Sequence, residues 1–309
     1  MAETFNWQEY YQSHRTLKVG ERTVRCALGG PNDDSDGNGR TVLLVPGLTS
    51  GTSIFGRFAH ELHKRGYKTV AMSHDRVDQD CSTDVMEVAE SIITGELDGD
   101  TDTHLSIAAH LLGAILTVRG LTERPDIEEY IHTLILAAPA GFGGVQFLRG
   151  TVESILFELS HRPSTEEIRH TVRDALRYSI AANIRLRDRI NEARHTSVIP
   201  QTRELLEKGL PIMALAYPND RLIHHDPLVE GLTQAGVPVI KTVQPPIYLG
   251  RNAHLYYPET VVTNQAANST AAFKIQNATD GSLLRWIRQI QGCTLERWPE
   301  HYWYGVNAW

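Results

Sequence analysis

The chain has 309 residues, enough for one large α/β domain with an insertion or for two ordinary domains. A hydrophobic fraction of 41% allows a sizeable core, and a net charge of −7 supplies no field that would gather nucleic acid or an anionic membrane. Three scattered cysteines, Cys26, Cys81 and Cys293, make neither a disulfide framework nor a zinc site, so no metal and no cofactor is implied.

The first fifteen residues, MAETFNWQEYYQSHR, lack the basic start and apolar core of a secretory signal. Leu105 to Val118, the longest near-apolar stretch, falls short of the ~18 residues needed to cross a bilayer. A reduced, cytoplasmic protein is expected.

Thr16 to Gly30 alternates apolar and polar residues about Gly20-Glu21, which predicts a hairpin. A polar loop, Pro31 to Arg40, leads to TVLLVPG (Thr41 to Gly47), an apolar run suited to a strand buried on both faces. Phe55, Phe58, Ala59 and Leu62 share one helical face, and Tyr67 to Asp75 predicts the next strand. A helix over Asp84 to Leu97 follows. In HLSIAAHLLGAIL (His104 to Leu116) a strand ending at Ala109 passes through a tight turn into a helix from Leu112 to about Gly120. His132 to Gly141 is another strand. Strand and helix alternating over short connections predict right-handed crossovers and a parallel sheet.

From Val145 to about Lys208 the rhythm becomes helical. Ser164 and Glu167 make a capping box, and Ile168, Val172, Leu176, Ile180 and Ile184 form a stripe. The arginines there, among them Arg169, Arg173 and Arg177, alternate with carboxylates as on the wet face of amphipathic helices. This insertion, 145–208, reads as a lid between two parts of one core, 1–144 and 209–309. The second part carries strands over Leu210 to Asp220 and Val237 to Val243, a helix near Leu228 to Ala235, and an amphipathic helix around Ser282 to Gln291.

Four separated motifs in this order resemble the α/β-hydrolase fold, from about Thr16 to Gln291. VLLVPGLTSG is similar to the strand and loop that supply one oxyanion-hole amide. AAHLLGA is similar to the elbow Gly-x-Ser-x-Gly, with Ala109 for the first glycine, Leu111 for the serine and Gly113 retained. YPNDRLI resembles the end of the strand carrying the acid, at Asp220, and LGRNAHLYYPE the loop carrying the histidine, at His254. The resemblance implies a mostly parallel eight-stranded sheet flanked by helices, with a helical cap.

In that family a histidine deprotonates the serine, a carboxylate orients the histidine, and backbone amides meet the oxyanion. Here the implied donors are the amides of Leu48 and Leu112, and Gly47, Thr49 and His110 line the substrate side. Leucine has no lone pair, so Leu111 removes the nucleophile while Asp220 and His254 remain. Ser106 lies inside the strand and is no substitute. His224, His225 and Asp226 read as a solvated loop.

Three functions follow from this pattern. One is general-base chemistry by His254 on a small, mainly hydrophobic carbonyl or ester-like substrate, by water attack or by a lyase, cyclase or isomerase step. The second is a serine hydrolase altered at residue 111. The third is a non-catalytic binding or regulatory protein on the same scaffold. Oligomeric state stays open.

Overall fold

The computed structural model describes residues 13–20, 22–30, 40–47, 52–55, 59, 62–63, 67–74, 81–97, 104–145, 191, 193–216, 223–237, 239–241 and 303–304. The helix expected at 282–291 and most of the expected lid, 146–190, lie outside them.

Strands β1 (Ser13–Val19) and β2 (Arg22–Gly29) form the expected antiparallel hairpin, with Leu17 opposite Val24 and Arg15 opposite Cys26. β2 pairs antiparallel with β4 (Lys68–His74). From β4 the sheet runs parallel through β3 (Arg40–Val45), β5 (His104–His110), β6 (Ile131–Ala137), β7 (Ile212–Ala216) and β8 (Val239–Lys241). The order among the described residues is β1-β2-β4-β3-β5-β6-β7-β8-β9. The eight expected strands are thus joined by a ninth, β9 (Trp303–Tyr304), antiparallel to β8. Two residues carry no alternation to read, so its pairing was not legible in the sequence.

The central strands are apolar throughout because both faces are covered. Val42, Leu43, Leu44 and Val45 of β3 are fully buried, as are Ile107 and Ala109 of β5. Each large aliphatic side chain buried in this way contributes about 1.5–3 kcal/mol relative to exposure.

Helix α1 (Cys81–Ile93) buries Val85, Val88, Ala89 and Ile92, one face at helical spacing. It begins before the predicted Asp84, with Cys81 and Ser82 already in the core, and 94–97 form a turn instead of its last residues. Helix α2 (Leu112–Glu123) follows β5 after the single residue Leu111 and buries Ala114, Ile115, Val118 and Leu121. It continues past Gly120, whose small size admits α1: a methyl there would come within 2.8 Å of Met86 Cγ. A short helix α3 (Pro125–Glu128) was not predicted; Pro125 sits in its first turn, where the missing N–H costs nothing.

Helix α4 (Ile199–Glu207) lies within the segment expected as a lid, buries Thr202 and Leu205, and packs against α2 and α5 (His225–Ala235). Helix α5 turns Leu228, Leu232 and Ala235 inward and closes on Gly236 in the left-handed region.

Candidate functional site

One residue, Leu111, connects the end of β5 to the start of α2, and reversing direction in so short a space strains it. Its backbone sits at φ 50 and ψ −117. That is the conformation of the first central residue of a type II′ turn, which glycine dominates. In a residue with a side chain it costs about 1–3 kcal/mol and persists only where the surroundings over-determine it.

The surroundings are the exit of β6. The Leu111 N–H donates to the Ala137 carbonyl at 3.2 Å, and the Leu111 carbonyl accepts from the N–H groups of Ala140 at 3.0 Å and Ala114 at 3.1 Å. Ala138, between the two clamping residues, is itself strained at φ 44 and is fully buried. Its N–H donates to the Leu215 carbonyl at 2.9 Å, which ties this exit to β7.

The exit of β3 presses on the same turn from the other side. Pro46 and Gly47 are buried, and a methyl on Gly47 would lie 3.0 Å from Leu111 Cβ and 3.4 Å from its Cδ1. The leucine side chain therefore lies over the Gly47 backbone, half-buried and packed on the core. At Gly113 a methyl would meet the Pro46 carbonyl at 2.7 Å and the Val45 carbonyl at 2.8 Å. Glycine is required there because β3 and the first turn of α2 touch backbone to backbone. His110 is buried beside the apex and meets Phe55 edge to face, with ring centroids 6.4 Å apart and planes at 85°. Leu112 opens α2, so its N–H is one of the first-turn donors that a helix cannot satisfy internally.

The structure thus brings Gly47, His110, Leu111 and Leu112 together where β3 and β5 end. Leu48, Thr49, Asp220 and His254 lie outside the described residues, although β7, the strand that precedes Asp220, is placed beside β6 and ends at Ala216. The clamp by Ala137 and Ala140 was missed in the sequence. The glycine-rich run APAGFGG after β6 was its one available sign, since glycines there mark a backbone leaving ordinary strand geometry.

Among the described residues, the groups with perturbed protonation lie away from this turn. The Arg124 guanidinium hydrogen-bonds the Asp126 carboxylate and holds it below its usual range, and burial pushes the Cys26 thiol up to about 12. His225 begins α5, where its Nδ1 is 2.9 Å from Asp226 Oδ1. Among the described residues no His, Cys, Asp and Glu group is arranged to hold a metal ion. Nor is any helix among them long and apolar enough to cross a membrane.

No protein-family model matches the chain, and no curated protein matches it. Solved structures do. The chain is similar to a putative lipase from Acinetobacter baumannii at a TM-score of 0.60 and 16% identity, over 87% of this chain and 94% of that one. It is similar to the thioesterase domain from the curacin biosynthetic pathway at a TM-score of 0.52 and 16% identity, over 85% and 99% of the two chains. Esterases from the fungus Rhizomucor miehei match at a TM-score of 0.53 and 13% identity, over 85% and 82%. With the strand order above, these likenesses decide the architecture. The fold is the α/β-hydrolase fold. At such identities the likeness carries the hydrolase fold shared with esterases, lipases and thioesterases, and the chemistry has to be argued from this chain's own residues.

Proposed function

We propose that this hydrolase-fold protein acts on a small, mainly apolar carbonyl or ester-like compound without forming a covalent acyl-enzyme. In this reading Leu111 occupies the nucleophile position. His254, oriented by Asp220, takes a proton from water or from the substrate, and the amides of Leu48 and Leu112 stabilise the oxyanion or enolate, at roughly 3 kcal/mol per donor. Gly47, Thr49 and His110 border the substrate. Water attack gives hydrolysis; proton abstraction gives a lyase, cyclase or isomerase step. The buried thiol Cys26 supports a reduced, cytoplasmic setting.

The supporting observation is the apex itself: Leu111 keeps φ 50 and ψ −117 although leucine gains no chemistry from them. The same observation favours a second reading, a serine hydrolase altered at residue 111, because its backbone cradle is present for any side chain. The test is turnover of p-nitrophenyl esters and acyl thioesters by the parent chain, by Leu111→Ser and by His254→Ala. Activity in the parent that disappears in His254→Ala supports general-base chemistry. Activity only in Leu111→Ser supports the altered hydrolase. No turnover by either chain, with tight binding of an ester analogue, refutes both and leaves a binding protein.

A further inference from the structure

The peptide unit between Leu111 and Leu112 carries two polar groups with different fates. A trans peptide is planar and points its C=O and N–H in opposite directions, so whatever holds the Leu111 carbonyl also aims the Leu112 N–H. The carbonyl accepts two hydrogen bonds, from the N–H groups of Ala114 at 3.1 Å and Ala140 at 3.0 Å, which uses both its lone pairs. The Leu112 N–H has no backbone acceptor among the described residues, although Leu112 is buried.

The two bonds to the carbonyl do different work. Ala114 belongs to α2, the helix that Leu112 begins, so its bond moves with that helix end. Ala140 comes from the exit of β6, so its bond fixes the peptide plane against the sheet. The preceding peptide is fixed from the same place, by the Leu111 N–H donating to the Ala137 carbonyl at 3.2 Å. Both planes that flank the Leu111 Cα are thus referred to one short segment, 137–140, which Ala138 bends at φ 44. Relaxation of ψ −117 at Leu111 turns the second plane directly, because ψ is rotation about the bond that carries it. A carbonyl that accepts hydrogen bonds also polarises its own amide and makes the N–H a stronger donor.

We propose that Ala140 is a positioning residue acting through its backbone: its N–H holds the Leu111 carbonyl and so aims the Leu112 N–H away from the β6 exit, at the substrate's carbonyl oxygen, before substrate arrives. This rests on the reading of Leu112 as an oxyanion donor, for which orientation in advance is what gives a donor its effect. Any residue except proline supplies the same N–H, so the side chain at 140 carries no trace of the role.

The test replaces Ala140 in the full chain by lactate, its α-hydroxy analogue, which turns the N–H into an ester oxygen and keeps the methyl side chain. Lactate at Ala138 is the control, because it removes the 2.9 Å bond to the Leu215 carbonyl from the same segment without touching the apex plane. One backbone hydrogen bond is a small part of a domain's stability, so both ester chains should fold. Residual dipolar couplings of the Leu112 N–H, read against the amides of β5 and β6, report the plane. With lactate at 140 this vector should turn by about 20° or more, outside the tolerance of a productive site, and with lactate at 138 it should stay. Butylphosphonate, a tetrahedral anion like that formed by water attack on an ester, should shift the Leu112 amide resonance in the parent and bind at least about tenfold more weakly with lactate at 140. An unmoved vector with lactate at 140 overturns the proposal, as does equal movement in both ester chains or equal butylphosphonate affinity in the parent and the chain with lactate at 140. Fast exchange of the Ala140 amide with solvent in the unmodified parent overturns it without any variant. If the vector moves with lactate at 140 alone while butylphosphonate leaves the Leu112 amide of the parent unshifted, the positioning stands and the assignment of Leu112 as an oxyanion donor fails instead.

Discussion

If the apex of the elbow is strained as its backbone angles state, alanine and glycine at position 111 should exchange their usual ranking. Both Leu111→Ala and Leu111→Gly remove the half-buried isobutyl group from above Gly47, so the two variants share that loss and differ by one methyl. At an ordinary position glycine is the less stable of the pair by roughly 0.5–1 kcal/mol, because the unfolded chain gains freedom. A partly buried methyl adds about 0.4 kcal/mol in favour of alanine, half the value of a fully buried one. Against this stands φ 50 with ψ −117, which costs a residue bearing Cβ about 1–3 kcal/mol and costs glycine almost nothing. Near the upper part of that range the balance favours glycine by about 1 kcal/mol. In a chain of this size that is a difference of about 2 °C in melting temperature. Urea and thermal unfolding followed by circular dichroism measure it. A Leu111→Ala variant as stable as Leu111→Gly, or more stable, would refute strain of about 2 kcal/mol or more at the apex.

Further outcomes follow at the glycines and at Cys26. Gly113→Ala forces a methyl against two carbonyl oxygens at 2.7 and 2.8 Å, neither of them on a movable side chain. It should lower stability by about 1–3 kcal/mol, read as a fall in the urea midpoint, whereas Gly209→Ala, with open space around it but positive φ, should cost only the backbone term of about 1 kcal/mol. Burial holds the Cys26 thiol neutral up to about 12, above its unfolded value, so the stability it confers is complete below the unfolded pKa and is lost as pH rises toward 12. Melting temperature should therefore fall between about pH 9 and 12 more steeply in the parent than in Cys26→Ala. Cys26 should also resist iodoacetamide at pH 8 until the chain unfolds.

Much of the architecture could be read from the residues because the central strands and the first helices state their burial locally. Val42 to Val45 is uniformly apolar, which a strand covered on both faces needs, and Val85, Val88, Ala89 and Ile92 recur at helical spacing. The turn between β5 and α2 was legible for a related reason: an apolar strand expected to end at Ala109 and a helix expected from Leu112 leave only His110 and Leu111 between them, and in the structure β5 takes His110 as well. What could not be read depends on contacts between distant segments. Gly113 in the sequence is only a small residue near a helix start, and its need arises from the Pro46 and Val45 carbonyls, which no local pattern connects to it. Ala138 gives no warning of a positive φ, since alanine carries none of the turn chemistry of Gly, Asn or Asp. Helix α2 was expected to stop near Gly120, a reasonable stop signal that tertiary packing against Met86 overrides.

The bonds that hold Leu111 are all made by its backbone, to Ala137, Ala140 and Ala114. Shape and reactivity at this turn are consequently kept in different places. The bend is written into the chain that surrounds it, and the side chain at the summit takes no part in holding it by hydrogen bonds. On the proposed reading, in which Leu111 stands at the nucleophile position, exchanging that one residue adds or removes a chemical step with no rebuilding of the frame that presents it.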